Sequence, residues 1–468
     1  MALLPLFAIG RGGLLAQEIG LTVAGNNIAN ANTPGYTRTR AVLSQEVPGQ
    51  YAGVLIGRGV RAQRVEQVVD QLLEARLRVV TTEQGEAIAR RDHLVALSAV
   101  ANDLDDPSLA TVLDAFFAAA DGLARNPGGL AEREVLLARG EALADETNGR
   151  ASRLARLQRD IDNRIAALVS EANDEIERLA ALNTAITNAE VDGQIATGLR
   201  DERTLALQSL ARKVGIEAID TGQLGTRISL ANGLVLVEGG RVVHRLAAEP
   251  GSTPGLDGGP LRDLGVRRSN GSYVALPSVA LRGEIAGLRA VRDGELVEAA
   301  TRLDLFASTL ASAVNAVQQH PSARDLDGNA TAGVPFFAGT TAATLQLALS
   351  DPRTIAAARS TQPGDAANAL ALVGVRGAAQ GALNGTTLSG WLAAEQARLG
   401  QDAARAEDTA TAAELRSSQV RSEREAVSGV NLNEELANLL RFQHAFEASA
   451  RVIAVADRVL DELVNLVR

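Results

Sequence analysis

Apolar residues recur at helical spacing along most of this chain and change to strand-like spacing near its middle. Residues 3 to 30 follow a three-and-four spacing that predicts one long helix. Its expected apolar stripe consists of Leu3, Phe7, Leu14, Gln17, Leu21, Ala24 and Ile28. The helix should end at Asn32-Thr33-Pro34-Gly35-Tyr36, because proline disfavours helical backbone at Thr33 and Gly35 suits the positive φ of a type II turn.

Further long helices are predicted by the same spacing. They cover about residues 70–105, 131–189, 281–319 and 432–467, with a shorter helix around Phe116 that ends at Asn126-Pro127. In the last helix, one heptad row holds Leu439, Phe446, Ile453, Leu460 and Val467, and its companion row holds Leu436, Gln443, Ala450, Asp457 and Val464. Helices of this length need a partner along the whole apolar face, which predicts a bundle or a coiled coil.

The spacing changes between residues 215 and 280. Asn232-Gly233 and Asn270-Gly271 are typical of the tight turns that join antiparallel strands, and they separate short β-branched runs. The Gly/Pro-rich stretch at 250–260 is expected to be flexible. The predicted fold is therefore mainly α with a small antiparallel β insert. Because amphipathic helices lie at both ends, we expect the ends to pair and the insert to project outward.

The composition favours a scaffold over a catalyst or a nucleic-acid binder. The 46 basic and 56 acidic residues give a net charge of −10, opposite in sign to that of a general nucleic-acid or anionic-membrane binder. No cysteine is present, which excludes disulfides and thiolate metal sites. Aromatic residues are only 3% of the chain, whereas ligand pockets are usually rich in them. The apolar N-terminal stretch lacks a basic segment before it and is interpreted as structure, not as a cleaved signal peptide.

Two short motifs resemble binding loops. Gly57-Arg58-Gly59-Val60-Arg61-Ala62 loosely matches a dinucleotide fingerprint, but the long helix that follows does not fit a βαβ unit and a turn between strands is favoured. Asp325, Asp327 and Asn329 are spaced as in a calcium loop. An EF-hand is excluded, because Gly328 stands at position four and Phe336 at position twelve. This leaves a weak cation site or an Asx-stabilised turn.

No catalytic residue, metal ligand or cofactor site is predicted. His93, His244, His320 and His444 are far apart in sequence, and the chain has no cysteine nucleophile or P-loop. Hydrolysis by scattered carboxylates, as in a cell-wall hydrolase carried on a scaffold, stays as an alternative. It would require a fold that brings Asp or Glu pairs into a cleft. A soluble coiled-coil binding module is a further alternative.

The N-terminal stretch GLLAQEIGLTVAGNNIANANTPGYTRTR (13–40) resembles the signature of the flagellar rod, hook and hook-associated family. A helix end followed by a turn accounts for Asn32 and Pro34, but it does not account for Asn26, Asn27 and Asn30. Asparagines near a helix end can bond the backbone and neighbouring subunits.

The C-terminal stretch SGVNLNEELANLLRFQHAFEASARVIAVADRVLDELVNLVR (428–468) resembles the matching C-terminal signature. Its Arg441-Phe442-Gln443 is similar to the hook-associated members, as are the stretches at 114–144 and 199–207. His444 and Phe446 depart from the Gln and Tyr common in the family. Segment 57–73 also follows the family's strand-then-helix pattern, which argues further against nucleotide binding.

The resemblance implies a non-enzymatic structural protein at the first junction between hook and filament, with a flagellar hook or distal rod protein as the alternative. It implies an inner coiled-coil tube from residues 1–36 and 428–468, a long-helix domain from 37–200 and 281–427, and an outer β domain from 201–280. The implied partners are further copies of the chain, the hook protein, the second junction protein (hook-associated protein 3) and an export chaperone on the C-terminal helix. The implied location is extracellular, on the flagellum, after export without a cleaved signal peptide.

The predicted subunit-interface residues lie in the two terminal stretches. They are Leu14, Leu21, Asn26, Asn27, Ile28, Asn30, Asn32, Pro34, Gly35, Tyr36, Leu436, Leu439, Phe442, Gln443, Phe446, Ile453 and Leu460.

Overall fold

A computed structural model describes residues 3–51, 54–102, 108–221, 225–268 and 270–467. Its α-helices are α1 Leu3–Ala29, α2 Gln71–Asn102, α3 Leu109–Arg125, α4 Leu130–Ala189, α5 Thr197–Val214, α6 Gly283–Ala290, α7 Leu296–Gln318, α8 Ala367–Val375, α9 Leu388–Ser428 and α10 Leu432–Val467. The predicted mainly helical fold is confirmed. The predicted end of the second helix, at about residue 105, lies outside the described residues.

The strands are short and antiparallel. They are β1 Thr39–Gln45, β2 Gly49–Tyr51, β3 Val54–Ile56, β4 Val60–Gln67, β5 Ile216–Asp220, β6 Thr226–Leu230, β7 Val235–Glu238, β8 Arg241–Val242, β9 His244–Pro254, β10 Pro260–Arg268, β11 Tyr273–Ala275, β12 Phe337–Ala338 and β13 Gln346–Leu347. β1 pairs with β4 and β2 with β3, while the central strands form two sheets in the orders β5-β6-β7-β8 and β11-β10-β9.

Helix α4 organises the helical body, which consists of α2 to α9. It has 60 residues and a length of about 90 Å, and it packs in turn on α3, α5, α6 and α7. Its predicted apolar face is buried, with Ile161, Leu168 and Ile176 fully inaccessible to solvent. The end of the body around α3 is filled by four aromatic rings, Phe116, Phe117, Phe336 and Phe337, with centroids 4.9 to 5.9 Å apart. A single apolar core therefore runs along α4.

The β insert packs on α4 and shares that core. Ile228, Leu236 and Val266 are buried in it, so the insert is attached to the helical body along α4. The predicted turns at Asn232-Gly233 and Asn270-Gly271 are confirmed, with φ of +82° at both glycines. The stretch at 250–260 was expected to be flexible, but it continues β9 and β10 into a closed hairpin. There the Gly255 amide donates to the Gly259 carbonyl at 2.7 Å.

A buried charge cluster locks the insert onto α4. The Asp162 carboxylate on α4 accepts from the Arg292 guanidinium at 2.6 Å and from the Arg262 backbone amide of β10 at 3.1 Å. The side chains of Asp162 and Arg292 are only 6% and 5% exposed. Directional bonds to a buried carboxylate fix the orientation of the hairpin on the helix.

Two elements cross the predicted domain boundaries. Helix α5 begins at Thr197 and lies among α2, α4 and α6, so residues 201–214 are part of the helical body and not of the β insert. Strands β1 and β4 pack against α1, so these two strands lie with the terminal helices. Sequence periodicity does not show which neighbour an element packs on. The division into three domains stays a prediction, with these boundaries moved.

Both binding-like motifs are local turns. Gly57–Gly59 connects β3 to β4, and Gly59 has a φ of +91°. In the 325–329 loop, Asp325 Oδ1 accepts from the backbone amides of Asp327 at 2.9 Å and Asn329 at 2.8 Å, which is an Asx-stabilised turn. Asp327 accepts from Arg353 Nε at 3.0 Å. These carboxylates are engaged by the protein's own donors.

Candidate subunit interface

The terminal helices α1 and α10 form an antiparallel pair. Asn27 contacts Glu435 near one end of the pair, and Gly10 faces Ile453 near the other. Between them, Gly20 faces Phe442 and Gly13 faces Ser449. Residues 13, 20 and 27 are seven apart, as are 449, 442 and 435, so the two helices keep one heptad register. The predicted pairing of the chain ends is present within this single chain.

Glycines bring the two helices unusually close. A Cβ added to Gly20 would lie 2.6 Å from Cδ1 and Cε1 of Phe442, and a Cβ on Gly10 would lie 2.6 Å from Cγ1 of Ile453. Carbon atoms in ordinary contact are about 3.5 to 4.0 Å apart. The Phe442 ring therefore occupies the space that a side chain at position 20 would fill. These positions require glycine because of the partner helix, not because of backbone conformation.

This pairing uses a face of α1 that overlaps the predicted one only at Ala24. The buried positions are Gly10, Gly13, Ala16, Gly20, Val23, Ala24 and Asn27, whereas Leu14, Leu21 and Ile28 are only partly buried. Hydrophobic periodicity gives weight to large side chains and none to glycine, so it selected the neighbouring face.

On α10, the predicted residues divide into two groups. Leu439, Phe442, Phe446 and Ile453 are partly buried in the pair. Leu436 and Leu460 are 51% and 40% exposed, and Gln443 is also exposed. The first group is engaged within the chain, and the second is free to contact a neighbour.

Asn27 requires a correction as a predicted intersubunit contact. Its side chain is fully buried, and its Nδ2 donates to the Thr39 carbonyl at 2.8 Å and to Glu435 Oε2 at 3.1 Å. Its Oδ1 accepts from the Thr39 amide at 3.0 Å and from the Tyr36 hydroxyl at 2.8 Å. Every polar group of this amide is thus satisfied inside the molecule, where Asn27 joins α1, β1 and α10.

The other residues of the asparagine-rich segment surround the end of α1. Asn30 Nδ2 donates to Asn26 Oδ1 at 2.6 Å. Gly35 has a φ of +79°, and the Tyr36 amide donates to the Thr33 carbonyl at 3.1 Å, which confirms the predicted turn. Asn32 and Pro34 are exposed. Burial raises the pKa of the Tyr36 hydroxyl, which stays a hydrogen-bond donor at neutral pH.

A polar cluster that the sequence did not reveal lies next to this turn. Arg38 Nε contacts Glu435 Oε1 at 2.8 Å, and the Thr37 amide donates to Asp201 Oδ2 at 3.2 Å. Arg424 bridges Glu74, at 3.0 Å, and the Thr37 hydroxyl, at 3.0 Å. Burial raises the pKa of the Asp201 carboxyl.

Three members of this cluster, Arg38, Asp201 and Glu435, lie inside stretches that resemble the family. Their position inside these stretches is the sequence signal that could have identified them. Arg38 contacts Glu435 and Asp201 contacts Thr37, and partners so far apart in the sequence leave no local pattern.

Besides the residues that are partly buried in the pair, α10 carries exposed apolar side chains near both of its ends, which together are called the apolar row. Leu432, Leu436 and Leu440 are 48%, 51% and 55% exposed, and the row resumes toward the C-terminal end. Its remaining members are Val452, Val455, Val459, Leu460, Leu463 and Val464. On α1, Leu15 is 50% exposed and Ile19 is 36% exposed. Exposed apolar side chains in such number are typical of an interaction site.

Three carboxylates line one groove in the helical body, but each has an arginine partner. Glu295 pairs with Arg90 at 2.6 Å, and Glu298 and Asp402 both pair with Arg398 at 3.2 Å. Within the described ranges, no three His, Asp or Glu side chains are grouped so that they could hold a metal ion. No described helix is long and apolar enough to cross a membrane.

Comparison with family models identifies three segments. The model of the flagellar hook-associated protein FlgK helical domain matches residues 94–337, just over half of the chain. The model described as flagella basal body rod protein matches residues 7–37. The model described as flagellar basal body rod FlgEFG protein, C-terminal, matches residues 422–466. The two rod-type matches fall on α1 and α10, so the candidate interface coincides with the segments shared across flagellar axial proteins.

Individual relatives agree with these matches. Flagellar hook-associated protein 1 of Bacillus subtilis is 26% identical over 500 aligned residues, which cover 97% of this chain and 96% of the relative. The Escherichia coli protein of the same name is 28% identical over 71% of this chain, which spans only 60% of that relative. The solved structure of the flagellar hook junction protein FlgK from Burkholderia pseudomallei has the same fold. It gives a TM-score of 0.65 at 16% identity and covers 76% of this chain and 100% of that one.

Proposed function

The chain belongs to the family of flagellar hook-associated protein FlgK, and from this membership we propose that it is a structural subunit of the first junction between hook and filament. It is a component of the flagellum that assembles with other flagellar components and adapts one helical tube to another. Its role is mechanical and architectural, not enzymatic.

The observation that carries the proposal is the exposed apolar row on the α1–α10 pair. A folded single chain would gain stability by burying the side chains of Leu436, Leu440 and Val455, each of which is about half exposed. At about 25 cal/mol per Å² of apolar surface, several such side chains give a substantial driving force for association. The row therefore fits a subunit whose terminal pair packs against the terminal pairs of its neighbours in a tube.

The partners follow from this position. We propose that copies of the chain contact one another through the predicted residues that the fold leaves accessible, such as Asn32, Pro34, Leu436, Gln443 and Leu460. The hook protein would lie on one side of the ring and hook-associated protein 3 on the other. Before assembly, an export chaperone would cover the apolar row of α10, and the chain would leave the cell by the flagellar type III route.

A hook or distal rod protein is less well supported as the role. The FlgK helical-domain model matches residues 94–337, which include α3, α4 and the β insert. The rod-type models match only the terminal segments. Terminal helices of this kind are consistent with a rod, hook or junction protein, whereas the helical body supports the junction protein alone.

The experiment that tests the role is electron microscopy of cells that lack this gene, with the culture medium assayed for flagellin. Hooks without filaments, together with flagellin in the medium, are the expected result. Absent hooks would place the protein in the rod or hook, and normal filaments would refute the junction role.

Complementation with point variants tests the interface separately. Leu436→Asp should fail to restore filaments, because it places a charge in the proposed contact between subunits. Leu370→Asp on α8 is the matched control, because Leu370 is 59% exposed but lies in the helical body. Both purified variants should keep the parent circular dichroism spectrum. Filaments restored equally by both would argue against the α10 row as the interface.

A further inference from the structure

The terminal pair and the helical body meet at Thr37 and Arg38, in the link between α1 and β1. The chain passes from α1 to β1 through these residues, and it returns from α9 to α10 through the short link from Gly429 to Asn431. The Arg38 amide donates to the Ser428 carbonyl at 2.8 Å, and the Arg38 carbonyl accepts from the Val68 amide at 2.8 Å. Ser428 lies at the end of α9 and Val68 lies just before α2, so Arg38 joins the two places where the chain passes between pair and body.

The two side chains of this segment face opposite ways. Thr37 faces the helical body, where it bonds Asp201 of α5 and Arg424 of α9, and Arg424 is held in turn by Glu74 of α2. Arg38 faces the terminal pair. Its guanidinium contacts Glu435 Oε1 at 2.8 Å and Glu434 Oε2 at 2.9 Å, both at the start of α10.

The cluster extends from Arg38 into α1. Glu435 Oε2 also accepts from Asn27 Nδ2 at 3.1 Å. Five helices (α1, α2, α5, α9 and α10) are therefore connected through the adjacent residues Thr37 and Arg38 by one set of hydrogen bonds, which runs from Glu74 to Asn27.

Most of this set of bonds is buried, and all of it is directional. Thr37 and Glu435 are each 2% exposed, and Asp201, Arg424 and Glu74 are below 10%. The Arg38 side chain is 23% exposed, and its second partner, Glu434, is 56% exposed. Apolar surfaces can slide past each other at small cost, whereas charge-assisted hydrogen bonds hold a defined geometry and lose most of their energy when it changes. We therefore expect these polar contacts to hold the angle between the terminal pair and the helical body.

We propose that Arg38 and Thr37 are positioning residues that set the direction in which the terminal helix pair leaves the helical body. Arg38 orients α10 through Glu434 and Glu435, and Thr37 anchors that segment to α5 and α9. The joint is a property of the single folded chain, so it can be measured whether or not the chain joins hook to filament.

The test uses the natural absence of cysteine in this chain. Ser418→Cys on α9 and Ala448→Cys on α10 replace small exposed residues on the two sides of the joint and accept one spin label each. Double electron–electron resonance on the full chain then reports the distance between α9 and α10. The doubly labelled parent should give one narrow distance peak.

Arg38→Ala in this background should lose the narrow peak and give a broad distribution. Arg38→Lys should give an intermediate width, because an ammonium is a single point charge and cannot reproduce the two-sided guanidinium contact. Arg40→Ala is the matched control. Arg40 lies two residues away, is 68% exposed and pairs with Glu66 within its own sheet, so the peak should stay narrow.

A broad distribution in the parent would overturn the proposal, as would a narrow peak retained by Arg38→Ala. If Arg38→Ala fails to fold, the lysine variant decides, and a width equal to that of the parent refutes the positioning role. Thr37→Val, which keeps shape and loses the hydroxyl, should broaden the peak less than Arg38→Ala. An equal or greater effect would place the control of the angle on the body side of the joint alone.

Discussion

Replacing Gly20 by alanine tests the close approach of α1 to α10. In the interior of an exposed helix, the change from glycine to alanine stabilises by about 1 kcal/mol, because alanine loses less backbone entropy. At position 20 the new Cβ would lie 2.6 Å from two ring carbons of Phe442. The helices or the ring would have to move by about 1 Å to restore ordinary contact.

The net effect follows from these two contributions. Overpacking of this kind costs about 1 to 3 kcal/mol, so Gly20→Ala should be between neutral and about 2 kcal/mol destabilising for the pair. Gly25→Ala is the internal control, because Gly25 is in the same helix and a Cβ there would have no atom within 4 Å. It should stabilise by up to about 1 kcal/mol. The stability of the α1–α10 pair should therefore differ between the two variants by about 1 to 3 kcal/mol.

Amide hydrogen exchange within α1 measures this difference locally. Exchange in the middle of α1 should be roughly 5- to 150-fold faster in Gly20→Ala than in Gly25→Ala, since each 1.4 kcal/mol is a factor of ten. Adding Phe442→Leu to Gly20→Ala should recover part of the loss, which a double-mutant cycle would register as a favourable coupling. Equal exchange rates in the two glycine variants would refute the glycine-mediated pairing.

Three further outcomes are expected. Asp162→Ala leaves the buried Arg292 guanidinium without this carboxylate, so the free energy of unfolding in urea should fall by about 3 to 5 kcal/mol; a loss under 1 kcal/mol would contradict the lock between insert and α4. Asp365 accepts from the amides of Ala367, Arg359 and Ser360, which lowers its pKa to about 2. Its contribution to stability is therefore present above about pH 4 and lost as the pH falls toward 2, and an NMR titration midpoint near 4 would refute these hydrogen bonds to the carboxylate. Deleting 432–467 should spare the melting transition of the helical body, because α10 packs on α1 and not in that core; a collapsed transition in calorimetry would show otherwise.

Sequence periodicity was sufficient to predict a helix and its buried face where large apolar side chains make the contact. The start and end of α10 and the apolar face of α4 were predicted correctly, because leucine and isoleucine carry those contacts. The turns at Gly35, Gly233 and Gly271 were predictable as well, because local backbone requirements select glycine there.

The features that the sequence did not reveal depend on contacts between residues far apart in the chain. The buried face of α1 consists mostly of glycine and alanine. Gly20 is required there because the ring of Phe442 on α10 occupies the space of a side chain. The role of Arg38 depends on Glu435, and the attachment of the insert depends on Asp162 meeting Arg292. Asn27 was recognised by its family motif, but its role as an internal anchor was visible only when Thr39 and Glu435 were placed around it.

The length of α4 has a mechanical consequence for the subunit. This helix is supported on several sides by α3, α5, α6, α7 and the insert, so bending it would strain main-chain bonds and core packing together. The joint at Thr37 and Arg38 is a single cluster of hydrogen bonds by comparison. A twisting load should therefore tilt the terminal pair before it bends α4. In the proposed tube, the Thr37–Arg38 joint would set the resistance to that tilt.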